Sequence, residues 1–268
     1  MSRNVLFWIL AIVITLASAA YQRLTGPTHP FRGKVVVSGH TVSYKLPRAH
    51  IIGTPANIEI PVPSSLIAAA LHYRRHNSDD VWSSAAMEYQ AGVLVTTLPE
   101  QPSGGKIQYY IEINDMQTTQ RIPSAAVILS RFRDAVPTAV LLPHVLFMFM
   151  AMLMSTRTGL QALLKNASLT RYTYWTIATI FVGGMIFGPL VQKYAFGVFW
   201  TGVPFGMDLT DNKTLIFLLV WLAAAVKVHQ NRHARGWVLA AALITLFAFL
   251  IPHSTFGTEL DYLKTGQP

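Results

Sequence analysis

Pro137-Thr-Ala-Val-Leu-Leu-Pro-His-Val-Leu-Phe-Met-Phe-Met-Ala-Met-Leu-Met154 carries no charged residue along its whole length. A helix needs about 20 consecutive apolar residues to cross a bilayer, and this run approaches that length. Three segments of the same kind follow at Tyr174–Val191, Leu215–Val228 and Trp237–Ile251, and one precedes it at Val5–Tyr21. None has a charge at its centre; Lys227 sits near one end. Whole-chain composition agrees, with 12% charged and 52% hydrophobic residues against about 25% charged in soluble domains. Mean hydropathy is +0.38.

The basic residues orient these segments. Arg157, Lys165 and Arg171 read as one loop, and Lys227, Arg232 and Arg235 as another. The stretch 192–214 balances Lys193 and Lys213 against Asp208 and Asp211, and the tail sets Glu259 and Asp261 against Lys264. Lys and Arg accumulate on the cytoplasmic side of short loops. The two basic loops are therefore expected inside, with 22–135, 192–214 and the tail outside. The net charge of +9 then reflects topology, and no nucleic-acid partner is expected. The first apolar run, followed by Ala17-Ser-Ala19, fits either an uncleaved anchor or a secretory signal; both leave the next region outside. With no cysteine, disulfides, thiolate metal sites and thiol nucleophiles are excluded.

Between the first segment and the rest, short β-branched and aromatic runs alternate with turn residues. Lys34–Val37, Ser38-Gly39-His40 and Thr41–Tyr44 read as a hairpin. Leu71 and Tyr73 fall on one face of a strand, His72 and Arg74 on the other. Further strands are expected at Asn57–Val62, Gly92–Thr97 and Lys106–Ile113, about seven in all, the number of a sandwich. In order, the Tyr73-Arg-Arg75 strand, Trp82, Met87, Gly92-Val-Leu94, Leu98-Pro-Glu-Gln-Pro102 and Gly105-Lys-Ile-Gln-Tyr-Tyr-Ile111 resemble a fibronectin type III or immunoglobulin-like domain of exported bacterial proteins. That resemblance covers residues 30–125. It implies a domain that binds, spaces or orients, and no catalytic residue. The C-terminal half looks like uncharacterised bacterial multi-pass membrane proteins.

The expected fold class is thus an α-helical membrane bundle with an extracytoplasmic all-β Ig-like sandwich. Residues 1–21 form the anchor or signal, 22–135 the sandwich, 136–254 a bundle of four transmembrane helices, and 255–268 an outer tail.

Candidate chemistry gathers at the expected outer face. His144 lies two turns into its segment and His253 follows Pro252; ionisable groups in membrane helices are functional candidates by default. With Asp208, Asp211 and Glu259 they form a candidate divalent-metal set, and two imidazoles alone admit a haem iron. The competing readings are a helix-packing hydrogen bond for His144, a headgroup position for His253 and helix capping by Asp211 or Thr210. Met148 and Met152 share a helical face with His144, whereas Met150 and Met154 do not. Gly184-x-x-x-Gly188 is a small-residue packing pattern. Aromatic residues and glycines in 192–214 read as an interfacial loop or a segment capping a lipid or quinone cavity. His229 and His233, four apart, lie among cations that disfavour a metal. No HExxH, P-loop, GxSxG or dinucleotide fingerprint occurs. The sequence requires no cofactor. The leading expectation is a non-catalytic subunit or accessory protein of the bacterial inner membrane. It contacts membrane lipid, and its outer domain engages another membrane or periplasmic protein. The alternatives are a metal- or haem-binding redox protein and a transporter or quinone- or lipid-binding protein.

Overall fold

A computed structural model describes residues 2–165, 168–230, 234–253 and 260–265. It divides into two compact units: Met1–Pro27 with Val136–Thr258, and Thr28–Ala135 with Glu259–Pro268.

In the helical unit, α1 (Arg3–Thr25) begins at Ser2, whose side chain accepts from the Val5 amide. Next come α2 (Thr138–Ala162) and α3 (Thr170–Ile180). Without a break α3 continues into a π-helical segment (Phe181–Phe187) and α4 (Gly188–Phe196), which stops at left-handed Gly197. The unit ends with α5 (Leu209–His229) and α6 (Ala234–Leu250). Four stretches are long and apolar enough to cross a membrane: Arg3–Thr25, Thr138–Ala162, Thr170–Phe196 and Leu209–His229. At 17 residues, α6 is shorter but as apolar.

Each helix runs past the limits that hydropathy sets, because polar residues at its ends are helical too. Arg157 corrects the loop expectation most clearly. It lies inside α2 and is 1% exposed. Its guanidinium donates to Asn4 Oδ1 at 2.6 Å and Gln161 Oε1 at 2.7 Å. Tyr172, Trp8 and Phe7 hold ring centroids 4.6, 5.4 and 5.5 Å from it. Among the described residues no carboxylate pairs with it; amide oxygens and aromatic faces disperse the charge. Arg171 likewise belongs to α3, Lys213 and Asp211 to α5, and Arg235 to α6. Trp221, Phe217, Ala151 and Val238 centre the unit's core.

The β unit holds sandwich-like sheets. Strands β1 (Phe31–Val37) and β2 (His40–Leu46) pair as a hairpin in register Val37↔His40. Ser38 and Gly39 form its turn at φ 50° and 76°, the twist that two-residue hairpins favour. The largest sheet contains β3 (Ala49–Ile51), β5 (Ala68–Arg75), β6 (Ser83–Ala86), β9 (Lys106–Asn114), β10 (Thr119–Ile122) and β11 (Ile128–Arg133). Its order is β3-β11-β9-β5-β6, with β10 also on β9. The third sheet is β4 (Asn57–Pro61), β8 (Val93–Thr97) and β7 (Glu88–Gln90). Alternation sends Ile107, Tyr109, Ile111 and Ile113 inward with Leu71, Ile58, Ile60 and Leu94. These short strands outnumber the seven expected, since the sequence reading merges or misses three-residue pieces such as β3 and β7.

The tail is not a free appendage. Leu260 N–H donates to Gly104 O at 3.0 Å. Tyr262 is buried, donates to Gln101 Oε1 at 2.7 Å, and faces the Arg75 guanidinium at 4.9 Å.

Candidate ligand-binding site

Gly183 and Gly184 set the geometry of the site. A Cβ on Gly183 would lie 2.9 Å from Phe147 Cβ and 3.1 Å from Met148 Sδ, and one on Gly184 would strike Thr214 Cγ2. Only glycine allows α2 and α5 to close on the π segment from both sides. The close approach brings the Gly183 carbonyl to 2.9 Å from His144 Nδ1, while the same oxygen receives the π-type bond from Gly188 N–H. π-Bulges recur at functional sites. A carbonyl oxygen only accepts, so His144 Nδ1 carries the proton. In its neutral form the ring then presents Nε2 as an acceptor.

The carbonyl end of α6 supplies the second wall. Gln22 of α1 donates to Phe249 O at 2.8 Å and Ile251 O at 3.3 Å, and Lys213 of α5 donates to Ile251 O at 2.7 Å. These side chains satisfy carbonyls that the helix end leaves open and fix the start of Pro252-His253. A cavity of about 220 Å³ results. Thr15, Ala19 and Gln22 line it from α1, His144, Val145, Met148, Phe149 and Met152 from α2, and Phe249 and His253 close it.

Thr15 is the unexpected member. Thr158, Thr176, Thr179, Thr214 and Thr245 each donate to a backbone carbonyl one helical turn earlier. Thr15 is 5% exposed, yet its hydroxyl has no partner among the described residues. Ser155 and Thr173 share that condition, but neither lines this cavity.

The structure brings together two of the five residues singled out as metal candidates. His144 and His253 line one cavity, and Lys213 donates to Ile251 O two residues before His253. Asp208 is the N-cap of α5, accepting from Thr210 and Asp211 amides at 2.7 and 3.3 Å. Asp211 accepts from Thr201 N–H at 2.7 Å and Thr201 Oγ1 at 3.3 Å. Asp208 thereby caps α5, and Asp211 ties the preceding loop to it at Thr201. Glu259 and His233 lie outside the described residues. Among the described residues no three His, Asp or Glu side chains converge. Met148 and Met152 are buried on the cavity side whereas Met150 is exposed, but Met148 Sδ packs against Gly183. Sequence reading missed Thr15, Gln22 and Phe249. The available signal was Gln22 closing an otherwise apolar helix and Gly183-Gly184 inside another.

The β unit carries a second feature, on the outward face of its largest sheet. Tyr110 stacks on His72 at 4.8 Å, meets Trp82 edge-on at 4.9 Å and lies under Arg121 at 4.0 Å. Arg74 covers Trp82 at 4.8 Å, and His72 Nε2 is 3.3 Å from Glu112. Compared with models of protein families and with curated proteins, the chain matches none.

Proposed function

We propose that the chain is a non-catalytic membrane protein whose helical unit holds a lipid-soluble ligand in the His144 cavity. One observation carries this reading: an apolar cavity lined by an imidazole acceptor and by a buried hydroxyl without a partner among the described residues. Leaving a polar group buried and unpaired costs about 1–3 kcal/mol, and a ligand that pairs with it recovers that loss. The volume falls below the roughly 300–1,000 Å³ typical of drug-sized ligands. It suits one ring or head group, with any chain outside among lipids.

On this proposal the helices span a bacterial inner membrane and the β unit projects on the outer side. Outward-facing Val5, Ile9, Ile12, Val13 and Leu16 of α1 support an apolar solvent. So does the tail. Four helical passes separate the β unit from Leu260, which hydrogen-bonds back to that unit. An even number of crossings returns the chain to its starting side, so α6 must cross as well. Its 17 residues reach about 26 Å at 1.5 Å each, against roughly 30 Å of hydrocarbon.

Protein purified in mild detergent, extracted with organic solvent and analysed by mass spectrometry should yield a retained neutral lipid-soluble molecule. An Ala19→Trp variant, which fills the cavity, should lose it. Extracts that match those of empty micelles, with no added lipid raising the melting temperature, sink the proposal.

A second reading rests on the Trp82–Tyr110 face. Trp, Tyr and Arg dominate interface hot spots, and here they form a pre-ordered group beside the exposed Val81. On this reading the face engages a membrane or periplasmic protein. Cross-linking from a photoreactive residue at Val81 should capture one partner, and Arg121→Glu should abolish capture; equal capture by both forms dismisses the face.

A further inference from the structure

We infer that the His144 cavity takes a hydroxyl-donating aromatic ring, the head group of a membrane-soluble phenol or hydroquinone. The inference rests on reading that cavity as a ligand site, and it names the ligand's chemistry from the hydrogen-bonding character of the walls.

Three of the polar groups on offer present acceptors, and the neutral His253 ring brings one donor and one acceptor. His144 uses Nδ1–H on Gly183 O, leaving Nε2 with a lone pair. Gln22 spends its amide N–H groups on Phe249 O and Ile251 O. Its Oε1 accepts no hydrogen bond among the described residues. Thr15 Oγ1 has no partner among the described residues and can accept or donate. A ligand that only accepts, such as an oxidised quinone, leaves two acceptors facing its own oxygens. A hydroquinone brings two O–H donors, one for Nε2 and one for Gln22 Oε1 or Thr15, so the reduced form is the complementary one.

The remaining surroundings agree. The Phe249 ring is fixed by stacking on Phe217 at 5.3 Å, so it offers a settled wall for a planar group. Lys213 donates to Ile251 O two residues before His253, and its positive charge favours a neutral ring over a metal cation. A volume of about 220 Å³ admits one substituted ring.

The test measures equilibrium binding to the full-length protein in nanodiscs, corrected for partition into empty discs. The probes are a decyl-substituted 1,4-hydroquinone kept reduced, its dimethyl ether and its oxidised quinone. The hydroquinone should bind about tenfold tighter than the ether, the ratio that one lost hydrogen bond of typical strength produces. His144→Phe should erase that preference. Thr15→Val, which preserves volume and packing, should reduce it several-fold, and Ala19→Trp should abolish binding of all three probes. Equal binding of the three probes, or preference for the quinone, overturns the donor assignment while the cavity remains a ligand site. Binding unaffected by Ala19→Trp overturns the assignment to this cavity. No binding of any probe, together with no retained molecule in the purified protein, overturns both.

Discussion

At the scale of single residues, burial decides what a polar group is worth. Trp221 is fully buried and its indole donates to Thr245 Oγ1 at 3.0 Å, while Thr245 donates to Ala241 O at 2.8 Å. Thr245→Val keeps the volume and strands the indole N–H. The variant should lose about 1 kcal/mol, in line with hydrogen bonds measured between membrane helices, and Thr245→Ser should lose little; thermal unfolding in mild detergent reads both. In the β unit, Asp115 accepts from Ser38 and Thr118 amides at 2.8 Å each and from Gln117 N–H at 3.2 Å. These donors hold its carboxyl down at about 2. A carboxyl depressed on folding contributes stability that is complete above its unfolded value near 4 and disappears as pH falls through about 2. Denaturant midpoints of the β unit, followed by peptide-level hydrogen exchange on the full chain, should therefore drop between pH 4 and 2. An Asp115→Asn variant should start lower and stay flat across that window. Single residues were also the scale at which the sequence was least informative. Leu71 and Tyr73 could be placed by alternation, because strand geometry is local. The burial of Arg157 could not, because two of the three rings that receive it come from Phe7 and Trp8, some 150 positions earlier.

Among the elements, the helix that spans Thr170–Phe196 is the one the sequence described least well. Hydropathy marks it as a single apolar segment and stays silent about its π turn, which depends on what presses against it. Gly184 faces Thr214 of α5, and an added Cβ would collide with Thr214 Cγ2. Gly184→Ala should destabilise the helical unit by about 1–3 kcal/mol, the usual penalty for overpacking. Thr214→Ser removes the colliding methyl and keeps the hydroxyl that bonds Thr210 O at 2.9 Å, so the double variant should regain most of the loss. A double-mutant cycle by thermal unfolding reads this coupling directly. Additive losses would show that the helices meet differently. The same packing explains why the small-residue pattern was legible while its consequence was not. Spacing announces that something comes close, but not that the close neighbour orients a histidine.

Over the whole molecule, the strongest constraint comes from joining two facts that belong to different units. The tail folds onto the β unit through Leu260 and Tyr262, and on the proposed topology the helical unit makes four passes between them, of which α6 is the shortest. Charge bias along the sequence predicts the proposed sidedness, but it assigns Arg157 and Arg171 to a loop and so leans on residues that are helical. The parity of the crossings needs neither. Because the chain has no cysteine, single replacements report topology without background. Ser124→Cys in the β unit, Phe205→Cys before α5 and Leu263→Cys in the tail are all at exposed positions. In intact spheroplasts they should react with a membrane-impermeant maleimide, whereas Lys165→Cys should react only after permeabilisation. If α6 failed to cross, Leu263 would be shielded while Ser124 reacted, and one chain could not then hold the bond from Leu260 to Gly104. The cavity depends on the same arrangement: Gln22 at the end of α1 donates to Phe249 O at the end of α6, so the two helices run in the same direction and end at one level, as the proposed crossings require of them.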